Sequence, residues 1–225
     1  MKKSIHTTIK KYSKKDIFLI SLRLFYVISG ILIILTGFLD PNTFYHTDMG
    51  IRLIILVTLF TYQSNLIAIV SMGNSLKNSI KHEKRTNNIF RLFALSYLTL
   101  TFIIYNLFLT GSITNPYSFA SLFLHVILPI LLILDFIIDT PKIAVSFKKS
   151  IYIIVYPIIY FIWVLIVGYF SKWYPYHFIN PNMNSKIGLF FNVILLLILT
   201  LLIGNIYNLI PKLKNKLKTR HNLHY

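Results

Sequence analysis

Thr61-Tyr62-Gln63-Ser64-Asn65 interrupts an apolar run that begins at Ile51 and resumes through Leu66-Ile67-Ala68-Ile69-Val70-Ser71-Met72. A helix over 51–73 puts Thr61 about 15 Å from its first residue, at ~1.5 Å rise per residue. That is near the middle of a hydrocarbon layer about 30 Å thick. Polar groups at such a depth are costly unless they are satisfied, so they serve as packing contacts or as function.

The rest of the chain supports a membrane setting. Its 225 residues are 56% hydrophobic and only 13% charged, with a mean hydropathy of +0.67. A soluble domain needs more polar surface than that. Six apolar segments, at roughly 17–38, 51–73, 89–110, 117–138, 150–170 and 187–210, each have the length of a spanning helix. The expected fold is an all-α membrane protein, a single bundle of six transmembrane helices over 1–225, with basic tails at 1–16 and 211–225. The first segment is too long for a signal-peptide core and lacks a small-residue cleavage site, which predicts a retained helix.

The net charge of +17 would suggest nucleic acid in a soluble protein. Its distribution points to topology instead. The N-tail carries six basic residues (Lys2, Lys3, Lys10, Lys11, Lys14, Lys15) and the 74–88 loop four (Lys77, Lys81, Lys84, Arg85). The 139–149 loop carries three (Lys142, Lys148, Lys149) and the C-tail five (Lys212, Lys214, Lys216, Lys218, Arg220). The alternate loops hold only Lys172 and Lys186. By the positive-inside rule both termini are expected in the cytoplasm, and no nucleic-acid partner is expected. Lys-, Ile- and Asn-rich usage fits a bacterial cytoplasmic membrane. Arg52 and Arg91, near segment ends, are expected to snorkel. Arg23 and Asp135, both toward the cytoplasmic side, are expected to form a structural ion pair.

On the second segment Thr58, Thr61 and Asn65 share one helical face, with Ser64 at its edge, while Gln63 points toward a different neighbour. The fourth segment places Ser118, Ser121 and His125 on one face. His125 is the only histidine within a span, about eight residues or ~12 Å from the outer end, close to the depth of Thr61. Pro129 has no N–H for the carbonyl of His125, which loosens the backbone there. A threonine hydroxyl needs a base to become nucleophilic, and histidine is the usual one. Thr61 and His125 are therefore a candidate catalytic pair, with Asn65 or Ser64 as oxyanion donor or orienting group. Trp173, Tyr174 and Tyr176 form an aromatic group at the outer interface, either an anchoring belt or the rim of a lipid-entry pocket. Tyr152, Tyr156, Tyr160 and Trp163 read as a packing stripe.

Cysteine is absent, so no disulfide or thiolate chemistry is expected. His6, His46, His82, His177, His221 and His224 are scattered over both sides, and no Gly-rich phosphate loop occurs. No metal or other cofactor is expected. The sparse midplane charge argues against a channel or ion-coupled transporter.

Several elements together resemble a family. They are Phe60-Thr61-x-x-Ser64-Asn65, Leu124-His125-x-x-x-Pro129 followed by Asp135, Tyr156-Pro157-x-x-Tyr160, and Trp173-Tyr174-Pro175-Tyr176. Over nearly the whole chain this looks like the bacterial integral membrane relatives of the animal androgen-induced membrane hydrolases. The register of the proline after His125 differs by one residue from the animal pattern, and His177 stands where that pattern has proline. The resemblance implies an intramembrane threonine hydrolase of fatty acid esters of hydroxy fatty acids, with Thr61 and His125 in the catalytic roles. The alternative is a non-catalytic lipid-binding or regulatory membrane protein, in which the same cluster is a polar pocket. Membrane lipids are the expected partners in either case.

Overall fold

The computed structural model describes residues 12–39, 48–83, 88–110 and 118–222, with side chains to 217. The lysines at 2–11, Lys84, Arg85, the 40–47 and 111–117 loops, His6, His46 and His224 lie outside the described residues, as do the side chains of Lys218, Arg220 and His221. Among the described residues every regular element is helical. In chain order they are α1 (Lys14–Leu39), α2 (Met49–Thr58), α3 (Phe60–Ile80), α4 (Asn88–Leu109), α5 (Phe119–Ile138), α6 (Phe147–Ser171) and α7 (Lys186–Asn222).

Five of these, α1 and α4 to α7, are long and apolar enough to cross a membrane, and α2 with α3 makes a sixth if the bent pair counts as one span. Large apolar side chains are exposed around the outside: Leu24, Phe25 and Leu32 on α1, Ile159, Ile166 and Phe170 on α6, Leu195 and Leu202 on α7. An exterior as apolar as the interior fits lipid contact rather than water.

The second segment departs from expectation. It is not one straight helix but is broken at Leu59 and bent by 74°. Leu59 is extended (φ −80°, ψ 119°), ending α2 and opening α3. Thr61 therefore lies in the first turn of a helix, not mid-helix, and Thr58 belongs to a different helix from Thr61 and Asn65. At the other end of the chain, α7 continues as helix through Pro211 and its basic stretch to Asn222.

α1 packs along α3 and also meets α5, α3 packs on α4, and α4 packs on α7. One apolar core joins Tyr26, Ile33, Met72, Leu98, Leu128 and Leu132. A second joins Phe60, Tyr97, Ile153, Tyr160, Val164 and Ile203. Between the cores lies the polar cluster of α3.

Toward the Ser75–Ile80 end of α3 the bundle is tied by charge. Arg23 Nε binds Asp135 Oδ1 at 2.7 Å, and its Nη2 binds Asp139. The expected pair is present, but it is part of a larger group. Arg91 binds the second oxygen of Asp135, donates to the Asp139 carbonyl at 2.7 Å, and lies over the Phe136 ring. Arg91 is thus buried rather than snorkelling. Arg52 is buried too: its Nη1 donates to the Phe38 and Leu39 carbonyls at 3.0 and 2.8 Å. A helix end leaves its last carbonyls without intrahelical donors, and Arg52 supplies one to the end of α1.

Candidate active site

The site starts from the break at Leu59. A helix interrupted inside a membrane bundle exposes carbonyls on one side and N–H groups on the other, and these must find partners. On the carbonyl side, Gln63 Nε2 donates to Val57 O at 2.5 Å and Tyr160 donates to Thr58 O at 3.1 Å. Tyr156 in turn donates to Gln63 Oε1. Gln63 does meet a different neighbour from Thr61, and its work is to hold the break. Tyr156 and Tyr160 face inward for the same reason, whereas Tyr152 and Trp163 of the same sequence stripe are exposed. Gln63→Ala should therefore lower the unfolding free energy by about 0.5–1.5 kcal/mol, the net contribution of an ordinary hydrogen bond, because these contacts are exposed to half-buried. The check is the Tm of the detergent-solubilised protein, and an unchanged Tm would show that the break does not depend on this amide.

On the N–H side, the amides of Phe60 and Thr61 have no acceptor within α3, because the ladder begins with Tyr62 and Gln63 donating to Leu59 O.

Thr61 Oγ1 and His125 Nε2 are 3.1 Å apart, both side chains being buried. The other ring nitrogen, Nδ1, is 2.9 Å from the Ser121 carbonyl. A carbonyl can only accept, so Nδ1 carries the proton and Nε2 presents its lone pair. The Thr61 hydroxyl then donates to Nε2. The ring is also stacked on Tyr105, with centroids 3.6 Å apart and planes within 11°. The backbone around His125 is a π-turn, Phe123–Ile127, and Pro129 closes it from below without an N–H. Such turns recur where a helix is locally widened, frequently at functional sites. The freed carbonyls are taken by asparagines: Leu124 O accepts from Asn65 at 3.2 Å, and His125 O from Asn106 at 3.5 Å.

Asn65 and Ser64 are wholly buried, and neither is among the residues that line the cavity beside Thr61. Asn65 Nδ2 also donates to Thr61 O at 2.8 Å. Its geometry is that of an orienting group, linking the backbone of Thr61 to that of Leu124, and does not fit an oxyanion donor. Ser64 bonds Thr61 O at 3.1 Å and the Thr101 hydroxyl at 2.9 Å, which fastens α3 to α4.

Thr61 opens onto a cavity of about 70 Å³, well below the roughly 300–1,000 Å³ of small-molecule sites. Phe60, Leu100, Ile104, Pro157, Phe161 and Leu196 are among its walls, Thr61, Thr101, Tyr105, Tyr160 and Tyr176 also line it, and the surface it presents is almost wholly apolar. No charged side chain lines it. Of the three expected rim residues only Tyr176 reaches the cavity, joined by Phe178 and Ile179. Trp173 is half-exposed. Tyr174 lies flat over Gly168, where a Cβ would fall 2.1 Å from its Cε1, so the close approach requires glycine there. The result is a threonine hydroxyl hydrogen-bonded to an imidazole at the edge of an apolar chamber. Among the described residues no three histidine or acidic side chains converge as metal ligands would.

Tyr105 is a site residue that the sequence did not single out, and Tyr160 and Gln63, noticed there for packing and for a separate neighbour, were not placed in the site. Tyr105 sits five residues from the outer end of its segment, a depth that would have placed it near His125. No family model, curated protein or solved structure matches the chain.

Proposed function

We propose that the protein is a multipass membrane hydrolase that cleaves neutral lipid esters of fatty acids, with Thr61 as nucleophile and His125 as base and then acid. The observation that carries this is the 3.1 Å contact from Thr61 Oγ1 to the lone-pair nitrogen of His125, made at the wall of an apolar cavity. In the first half-reaction Thr61 Oγ1 attacks the ester carbonyl carbon and its proton passes to Nε2. The Ser121 carbonyl, fixed on Nδ1–H, orients the ring and stabilises the imidazolium, the part a carboxylate plays in serine hydrolases. The tetrahedral centre collapses, the leaving alkoxide takes the proton from Nε2, and an acyl-threonine remains. Water, deprotonated by the same nitrogen, then releases the fatty acid. The reading agrees with the resemblance to the androgen-induced membrane hydrolases, of which we infer this chain to be a bacterial relative.

We further infer that both termini face the cytoplasm, since Lys77, Lys81, Lys142, Lys148, Lys149 and Lys212 all belong to the connections on that side. Thr61 lies 18 residues along α3 from Ser79, which contacts Arg23, or ~27 Å at helical rise. The site then sits in the half of the membrane away from the cytoplasm.

The test is labelling of the purified protein with an alkyl fluorophosphonate. Wild type should label, and Thr61→Ala and His125→Ala should not. Labelling that persists in both variants would sink the Thr/His mechanism. A folded wild type that never labels, yet takes up a fatty acyl ligand, would establish the lipid-binding alternative.

A further inference from the structure

We propose that Tyr105 is a positioning residue for the base: its ring covers one face of the His125 imidazole and stabilises the positive charge that ring carries once it takes the Thr61 proton. This rests on the hydrolase reading and adds to it the group that lets the pair work without a carboxylate.

The stack is unusual for neutral rings. The Tyr105 and His125 rings have centroids 3.6 Å apart and planes within 11°. Carbon atoms in contact stand about 3.5–4.0 Å apart, so this separation leaves almost no lateral offset. Neutral aromatic rings avoid that arrangement because their negative faces repel, and they settle offset or edge-on with centroids about 4.5–7 Å apart. Neighbouring pairs follow the rule: Phe60 meets Tyr160 edge-on at 4.9 Å, and Tyr97 meets Tyr156 tilted at 5.2 Å. A cation over an aromatic face is instead attracted by the ring quadrupole. The stack therefore favours imidazolium over imidazole. Interactions that strengthen only as the reaction proceeds are the ones that raise its rate.

The charge requires such support. When Thr61 Oγ1 bonds to the ester carbon, its proton passes to Nε2 and the ring becomes a cation. When the leaving alkoxide takes that proton, the ring is neutral again. A charge formed inside an apolar bundle is costly unless it is paired. Asp135, the carboxylate on the same helix, lies ten residues on, about 15 Å at helical rise, and it holds Arg23 and Arg91. In the plane of the ring, the Ser121 carbonyl accepts from Nδ1–H at 2.9 Å. The ring faces are what remain, and Tyr105 takes one of them.

The backbone places it there. Tyr105 opens the π-turn Tyr105–Leu109 at the end of α4, and His125 lies in the π-turn Phe123–Ile127 of α5. Widened turns of this kind are frequent at functional sites, and here two of them meet. Asn106, the next residue, fixes the register: its Nδ2 donates to Phe102 O at 2.8 Å and to His125 O at 3.5 Å. Tyr105 is buried and lines the same cavity as Thr61, so its ring is held against the base before a substrate arrives.

The experiment measures turnover of a p-nitrophenyl acyl ester by the full-length protein in detergent. It compares wild type, Tyr105→Phe, Tyr105→Leu and proteins carrying 4-fluoro-, 3,5-difluoro- or 3,4,5-trifluorophenylalanine at 105. Fluorine withdraws negative charge from the ring face and leaves the shape nearly unchanged, so a packing role does not respond to it. Tyr105→Phe should keep kcat within about threefold, and kcat should then fall with each added fluorine to about 3–10-fold below Tyr105→Phe. Tyr105→Leu should lower kcat about 10–30-fold, the effect of losing a desolvated cation–π contact, with KM within about threefold. A kcat that is flat across the fluorinated series, or that follows Tm rather than fluorine number, overturns the assignment and leaves the hydrolase standing. A Tyr105→Phe protein as slow as Tyr105→Leu also overturns it, since the hydroxyl and not the ring face would then matter. Should Tyr105→Leu fail to fold, the fluorinated series at normal Tm decides. A wild type without turnover or labelling overturns the hydrolase itself, and the two failures are thereby distinct.

Discussion

Asp135→Asn should destabilise the bundle by about 3–5 kcal/mol, the penalty for removing one partner from a buried ion pair. The side chain is wholly buried, and each of its two oxygens serves a different arginine, Arg23 of α1 and Arg91 of α4. Arg23 and Arg91 are themselves 1% and 4% exposed. With the carboxylate gone, Arg23 keeps the Asp139 carboxylate, one-third exposed at its side chain, and Arg91 keeps the Asp139 backbone carbonyl. An asparagine keeps the shape but has one oxygen and no charge to offer, so one arginine must be dehydrated without compensation. Arg23 also donates to Ser75 O and to Ser79 on α3, so the loss spreads over α1, α3, α4 and α5. Chemical denaturation or the Tm in mild detergent measures it, and a shift below ~0.5 kcal/mol would refute the account. Replacing Arg23, Arg91 and Asp135 together by leucine or methionine should be far milder than the single change, because it removes the dehydration penalty along with the attraction.

The bundle was legible in the sequence because hydropathy and charge report on long segments, and lipid imposes helices on any chain that crosses it. Arg23 with Asp135 was legible from depth alone, as two opposite charges on the same side must seek each other. Arg91 was not. Its place near a segment end permits a solvent-seeking side chain and a buried one equally, and only the position of α4 against α5 selects the second. The break at Leu59 was not legible either. Residues 51–72 contain neither proline nor glycine, so no local breaker marks it. It is sustained by partners distant in sequence, Tyr156 and Tyr160 on α6, and helical periodicity across Thr58, Thr61 and Asn65 therefore gave a face that does not exist as one surface.

The contact between Thr61 and His125 illustrates the opposite case. Matched depth suggested it from a straight helix, yet the geometry arises from a bent one. The agreement survives because both residues are measured from the same side, and the bend turns α2 aside while leaving Thr61 in the first turn of α3. Asn65 was noticed for its polarity but given two roles; the carbonyls freed by the π-turn at Phe123–Ile127 and by Pro129 are what select the orienting one. A single proline announces a missing donor. It does not announce which distant amide will answer.

Thr61→Ala should reduce ester turnover by at least about 10³-fold, and His125→Ala by a similar factor, while the double variant should be no slower than either. The non-additivity is the decisive part. If Thr61 is nucleophilic only when Nε2 takes its proton, removing the base disables the hydroxyl and removing the hydroxyl leaves the base idle, so the second deletion has nothing left to remove. Independent contributions would multiply instead. Thr61→Ser supplies the complementary arm, since it keeps the hydroxyl and should retain turnover within about tenfold if Oγ1 is the attacking atom. The stability readout separates chemistry from packing. Thr61→Ala deletes a hydroxyl whose described hydrogen bond is the one to Nε2, so its Tm should fall little beside that of Asp135→Asn. Multiplicative losses, or a Thr61→Ala protein that still turns over ester with His125 intact, would assign the attack to water or to another hydroxyl, of which Thr101, Tyr105, Tyr160 and Tyr176 belong to residues that line the same cavity.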